Sequence, residues 1–347
     1  MDYCCFIKAK AGELKAIRYV KDKQLFTPFF DMPALKGSKT PAALYKQLTR
    51  SLKYIAANWP KGELFFVDHF DIDLGAVMPD STHPYLMLKS LLDDGFNLGL
   101  VTGLDRDENY NAAVFEIASQ YNNNVAIRLL VDDIYTPSIS IVELKGMLAS
   151  LSKCAKKIII VLDLRVIVNK DPAVLAAQCI KFISRLENEG ISLQVVITSS
   201  SFPANLTSIV PTGSSIRIDR TEETVWDEID EQYSGDLELV YGDYATVSPD
   251  FIDVEFQGPP PIAPKVVYTT NGSYVVMRGK SVIHHPDGFK QFIKLAQEAT
   301  SLPEYRGKEY SYGDGYIAKI AGGDSGSGNA TTWITCAVNQ HIEYVSR

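Results

Sequence analysis

This sequence of 347 residues is poor in the features that usually settle a protein's class at sight. No apolar run approaches the roughly 18 residues that a membrane-spanning helix needs. Cysteines number five, at Cys4, Cys5, Cys154, Cys179 and Cys336, with no CxxC pair. An odd, scattered set argues against a disulfide framework and for reduced thiols in a cytoplasmic protein. Residues 1–10 carry no basic segment followed by a long apolar one, so no signal peptide is expected. Basic residues are outnumbered, 34 Lys and Arg against 42 Asp and Glu, for a formal net charge of −8. That makes sequence-independent nucleic-acid binding by the chain as a whole a poor expectation, and leaves only local basic pockets open. There is no GxGxxG or Walker A loop after any apolar run, and Ser199-Ser200-Ser201 lacks a GxSxG elbow. The histidines are five, and His284 and His285 are adjacent, so in a strand they would face opposite ways. No zinc constellation is signalled.

What is present is a large apolar fraction, 46%, enough for a sizeable core and incompatible with a disordered chain. Eight short apolar runs punctuate the first 250 residues: 3–8, 25–31, 64–68, 97–103, 125–130, 157–164, 193–199 and 237–243. Each reads as a strand buried on both faces. Amphipathic segments separate them. Thr40-Pro41 and Asp171-Pro172 each pair an N-cap residue with a proline at the first helical position. After the second, Val174, Leu175, Cys179, Phe182, Ile183 and Leu186 repeat with a helical period. Ser140 and Glu143 suggest a capping box, and further helices are expected over 84–94, 108–121 and 221–229.

The alternation predicts an α/β fold, a (β/α)8 TIM-like barrel over 1–257, with an open doubly wound sheet as the alternative. Residues 215–219 stand as either a ninth strand or a lead-in to the next helix. A Pro-rich linker over 258–264 and a C-terminal α+β extension over 265–347, packed on the barrel, are expected to follow. Asn271-Gly272 between two apolar runs marks a hairpin in that extension, followed by a helix over 286–300 and a strand-like run over 333–345.

In such barrels ligands bind at the C-terminal ends of the strands. The residues there are Lys8, Lys10, Asp31, Asp68, Thr102, Arg128, Asp163, Arg165, Ser199, Ser200, Asp243 and Tyr244. Two readings stand. Asp31, Asp68, Asp163 and Asp243 could share a Mg²⁺ ion while Lys8, Lys10 and Arg128 hold a phosphate, as in a phosphodiesterase or nucleotide-binding enzyme. Alternatively, the same residues form a structural ion-pair network. A second polar, aromatic region lies near the C-terminus, with Arg306, Asp314, Asn329, Thr332, Trp333 and His341. It suits a recognition surface, a lid over the barrel mouth or a structural plug.

Several of these segments, in their order, resemble the beta protein family of temperate and satellite phages and bacterial operons. They are Lys8-Ala-Lys10-Ala-Gly12-Glu13, Pro28-Phe-Phe-Asp31, Val67-Asp68, Arg220-Thr-Glu222 ahead of Trp226, and Tyr241-Gly242-Asp243-Tyr244. Towards the C-terminus they continue with Tyr305-Arg306-Gly307, Gly313-Asp314, Gly328-Asn329, Thr332-Trp333 and Asn339-Gln340-His341. The chain departs from the family pattern at Asp31, at Ile334 after the tryptophan, and at Gln340-His341. The resemblance implies a phage or mobile-element origin and a role in phage–host conflict, in defence or counter-defence. It supplies no reaction and no catalytic residues. On this reading the protein is a non-catalytic sensor, inhibitor or adaptor that binds a protein partner, with Arg220, Tyr244 and the C-terminal set as binding candidates.

Overall fold

Runs rich in β-branched and aromatic residues, too short and too uniformly apolar for helices, form strands buried on both faces. In a computed structural model, which describes residues 3–37, 39–250, 263–323 and 326–347, they are β1 (Tyr3–Lys8), β2 (Thr27–Asp31), β3 (Phe65–Asp68), β4 (Leu98–Gly103), β5 (Asn124–Leu129), β6 (Lys157–Val166), β7 (Val195–Ser200), β8 (Ser214–Asp219) and β9 (Leu239–Asp243). All but β8 pair in parallel and close into an eight-stranded barrel in the order β1-β2-β3-β4-β5-β6-β7-β9. Helices follow the barrel strands, and the fold is a TIM-like α/β barrel. Among the described residues no helix is long and apolar enough to cross a membrane.

The barrel is packed through its middle. Phe6, Phe29 and Phe66, on adjacent strands, stack with ring centroids 4.4 and 4.5 Å apart. Val101, Ala126, Val161, Val196 and Val240 complete the filling. Gly99 on β4 makes room, since a Cβ there would lie 2.4 Å from the Phe66 ring. Outside, the expected caps operate: Thr40 accepts from the Ala43 amide at 3.3 Å and Asp171 from the Ala173 amide at 3.0 Å. Two local expectations change. The helix carrying Ser140 begins at Pro137, so Ser140 lies inside it and donates back to the Asp133 and Thr136 carbonyls. Val174 is exposed, whereas the rest of its helix's apolar set is buried.

The larger corrections concern the C-terminal part. Residues 214–219 are a strand, but not of the barrel. β8 pairs antiparallel with β11 (Ser273–Arg278), which pairs with β10 (Lys265–Thr270) in a three-stranded sheet. The run read as a final strand is the helix Ala330–Val345. Its β-branched residues suggested extended backbone. Its buried face spans almost its whole circumference, which erases the helical period, while Asn329 caps it by accepting from the Thr332 amide at 3.0 Å. This helix lies along Ala11–Arg18. Thr335 donates to the Gly12 carbonyl at 2.9 Å, Asn339 donates to the Ala16 carbonyl at 3.2 Å, and Val338 and Ile342 join the main core. A division at 257/265 therefore cuts across both layers: β8 comes from before it, and a helix on the barrel's flank from after it. The expected linker lies outside the described residues as far as position 262.

Candidate functional site

The strand register sets the chemistry at the mouth. Lys8, Asp31 and Asp68 end β1, β2 and β3 side by side. Arg128 on β5 reaches across to them. Its Nη1 donates to Asp31 and to Asp68, both at 2.8 Å. Its Nε and Nη2 donate to Asp163 at 2.9 and 2.7 Å, and Nη2 also donates to the Tyr244 hydroxyl at 2.5 Å. Tyr244 in turn donates to Asp163 at 2.6 Å. All five side chains are buried. The guanidinium lies between two rings, 5.5 Å from the centroid of Phe6 below and 4.7 Å from that of Phe70 above.

Around this centre, Arg106 makes a two-pronged contact with Asp68 at 3.0 and 3.1 Å, and Tyr110 donates to Asp68 at 3.1 Å. Arg106 and Arg165 also lie over Phe70, at 5.0 and 4.3 Å from its centroid. Lys8 pairs with Asp71 and stands 3.6 Å from Asp31. Burial alone would raise the Asp31 carboxyl, but Arg128 and then Lys8 hold it below the usual carboxylate range. At the rim, burial raises Asp71 and Asp105 despite Lys8 and Arg106 beside them.

This donor set does not suit a shared divalent ion. Three of the four aspartates do converge, but on Arg128, whose charge occupies the place an ion would take. Asp243, the fourth, belongs to another network. Among the described residues no group of three or more His, Cys, Asp or Glu is arranged to hold a metal. Lys10 precedes the helix Ala11–Arg18 as its N-cap and is exposed.

The second network centres on Asp243 and Arg220. Asp243 accepts from the Tyr3 hydroxyl at 2.5 Å, the Ala245 amide at 2.9 Å and the Tyr241 hydroxyl at 3.1 Å. His341 Nε2 is 2.8 Å from it and Arg220 3.7 Å. Arg220 pairs with Glu223 at 3.0 Å and faces Glu222 at 3.6 Å. Glu222 accepts from Tyr274 on β11 at 2.6 Å and from Ser201 after β7. His341 Nδ1 meets Thr269 on β10 at 3.0 Å. Burial pushes the Asp243 carboxyl up, and His341, Arg220 and Tyr3 more than offset it, holding it at about 2. This network joins the barrel, the small sheet and the C-terminal helix.

The other C-terminal candidates are mostly structural in placement. Arg306 stacks on Tyr344 at 3.7 Å and donates to the Thr269 carbonyl at 3.0 Å. Asp314 accepts from Tyr268 at 2.7 Å and Ser311 at 2.5 Å, and burial raises its carboxyl. Asn329 and Thr332 cap the last helix. Trp333 stacks on Phe292 at 4.7 Å and donates to the Ser327 carbonyl at 2.9 Å.

Trp333 also lines the feature that sequence reasoning missed. A cleft of about 370 Å³ runs between the loops after β7 and β9 and the C-terminal layer, walled by Phe202, Leu206, Val247, Phe292, Trp333 and Ala337. Phe289 and Ile334 line it while 41% and 40% exposed. Phe70 and Arg106 were missed as well. They follow β3 and β4 by two and three residues, in loops without periodicity.

Comparisons with known proteins add family and little else. The family model described as Beta protein matches residues 3–347. No curated protein matches the chain. Among solved structures, AQ1208 from Aquifex aeolicus is similar at 12% identity and a TM-score of 0.36, over 70% of this chain and 58% of that one. A lysine/ornithine decarboxylase complexed with putrescine, from Vibrio vulnificus, is similar at 10% identity and a TM-score of 0.36, over 69% and 62%. This chain thus spans about three fifths of each, and likeness at that level bears on neither activity nor ligand.

Proposed function

We propose that this chain, which belongs to the Beta protein family, acts in the cytoplasm in phage–host conflict as a non-catalytic sensor, inhibitor or adaptor holding a protein partner. The observation that carries this reading is the apolar cleft at Phe289 and Ile334. Two large side chains left in water at one concave, aromatic-walled site favour an apolar ligand, because covering them releases water from apolar surface. The partner is a protein segment that presents a large apolar side chain to Phe292 and Trp333. The phage setting rests on the family resemblance of the motifs.

The metal-dependent phosphodiesterase is the weaker reading. Three of its four carboxylates are already matched by Arg128 and the fourth, Asp243, lies with Arg220 and His341, and no second observation favours it. The test is photo-crosslinking from a benzoylphenylalanine placed at position 289, in phage-infected and uninfected bacteria. One discrete protein adduct, lost on adding Ile334→Asp, supports the reading. No adduct in either condition contradicts it.

A further inference from the structure

The helix Pro41–Asn58 on the outside of the barrel contains three basic residues, Lys46, Arg50 and Lys53, and no acidic one. They recur at i, i+4 and i+7, so they share one face. Like charges at that spacing repel and weaken a helix. In a chain with a net charge of −8, carboxylates to neutralise them are plentiful. Among the described residues none of the three has a carboxylate partner, and all three are exposed. Their charge is left for something else to meet.

Aromatic rings stand among them. Tyr45 is 50% exposed. Arg50 lies 5.3 Å from the centroid of Tyr54 and donates to its hydroxyl at 3.2 Å, which fixes the guanidinium on the surface. A shallow groove is lined, among the described residues, by Tyr45, Lys46, Thr49, Arg50, Lys53 and Tyr54.

We propose that this face is a binding site for single-stranded nucleic acid. The phosphates would lie along Lys46, Arg50 and Lys53, a span of about 10 Å at the helical rise, and a base would stack on Tyr45. An acidic peptide would satisfy the cations but leave the exposed ring unused. A duplex keeps its base faces inside its own stack. No sequence preference follows, since the face offers charge and a ring but no walled pocket to read base edges.

The experiment is fluorescence anisotropy of a labelled 20-nucleotide oligothymidine against the full chain, at two salt concentrations. The expected result is binding that weakens with salt. Removing all three charges, in Lys46→Gln/Arg50→Gln/Lys53→Gln, should reduce affinity at least tenfold and lower the slope of log affinity against log salt by about 2. Tyr45→Ala should weaken binding roughly fivefold or more and leave that slope unchanged. All four side chains are exposed, so the fold is kept, and circular dichroism checks it. Absence of binding, equal binding by the triple variant, or equal competition by a duplex or by polyglutamate overturns the proposal.

Discussion

Two of the buried arginines, Arg128 and Arg220, each gather carboxylates, and they do different work. Arg128 sits inside the barrel mouth, and its partners Asp31, Asp68, Asp163 and Tyr244 lie on or directly after barrel strands. Arg220 sits between layers, and its network runs from Tyr3 and Asp243 to Tyr274 on β11 and, through His341, to Thr269 on β10. The residue types are nearly the same. The first network stops the mouth, and the second bolts the C-terminal layer to the barrel. The lesson is that strand-end carboxylates in a barrel are not by themselves evidence of catalysis. Here each of them already faces a buried arginine.

The comparison can be broken most forcefully at Arg128. Arg128→Met takes the guanidinium from three buried carboxylates, leaving Asp68 only Arg106 and Asp31 only Lys8, and should cost about 3–5 kcal/mol or prevent folding, read from urea denaturation. The second network is sharpened by pH. The Asp243 carboxyl is held at about 2, below its unfolded value of about 3.9, so its contribution is fully present above about pH 4 and is lost as pH falls towards 2. Asp243→Asn should lower stability by about 2 kcal/mol at pH 7 and flatten this acid limb, seen in urea midpoints measured from pH 7 to pH 2.5. An acid limb equally steep in the variant would move that role elsewhere. Gly99→Ala, in the barrel beside β3, forces a methyl into the Phe66 ring and should cost about 1–3 kcal/mol in thermal or urea unfolding. The smallest stability change belongs to the cleft. Phe289→Asp and Ile334→Asp, at partly exposed sites, should each shift stability by only about 0.5 kcal/mol.

Much of the fold was legible because fully buried parallel strands announce themselves as short apolar runs, and because Thr40-Pro41 and Asp171-Pro172 mark helix starts by chemistry as well as pattern. The last helix was not. Wrapped on nearly all sides, Trp333–Glu343 lost its period, and only Asn329 at the cap position signalled a helix. Residues 215–219 read equally as a strand or as a lead-in to the next helix, and their partner was hidden, since antiparallel pairing with β11 bridges more than 50 residues that no local pattern connects. Of the mouth, the strand-end set Asp31, Asp68, Arg128 and Asp163 was readable from position alone. That they converge on the guanidinium depends on side-chain reach across the barrel. The cleft was not legible, because it is assembled from two loops and two helices far apart in sequence.

The claim that binding belongs to the cleft while the mouth is structural is tested most directly by one crosslinking comparison. Benzoylphenylalanine is placed at position 289 in one protein and at position 71, on the mouth rim, in another, and both are irradiated in phage-infected bacteria. The account predicts a single specific protein adduct from position 289 and none from position 71. An adduct from position 71 with none from position 289 would contradict it, and would return the function to the barrel mouth.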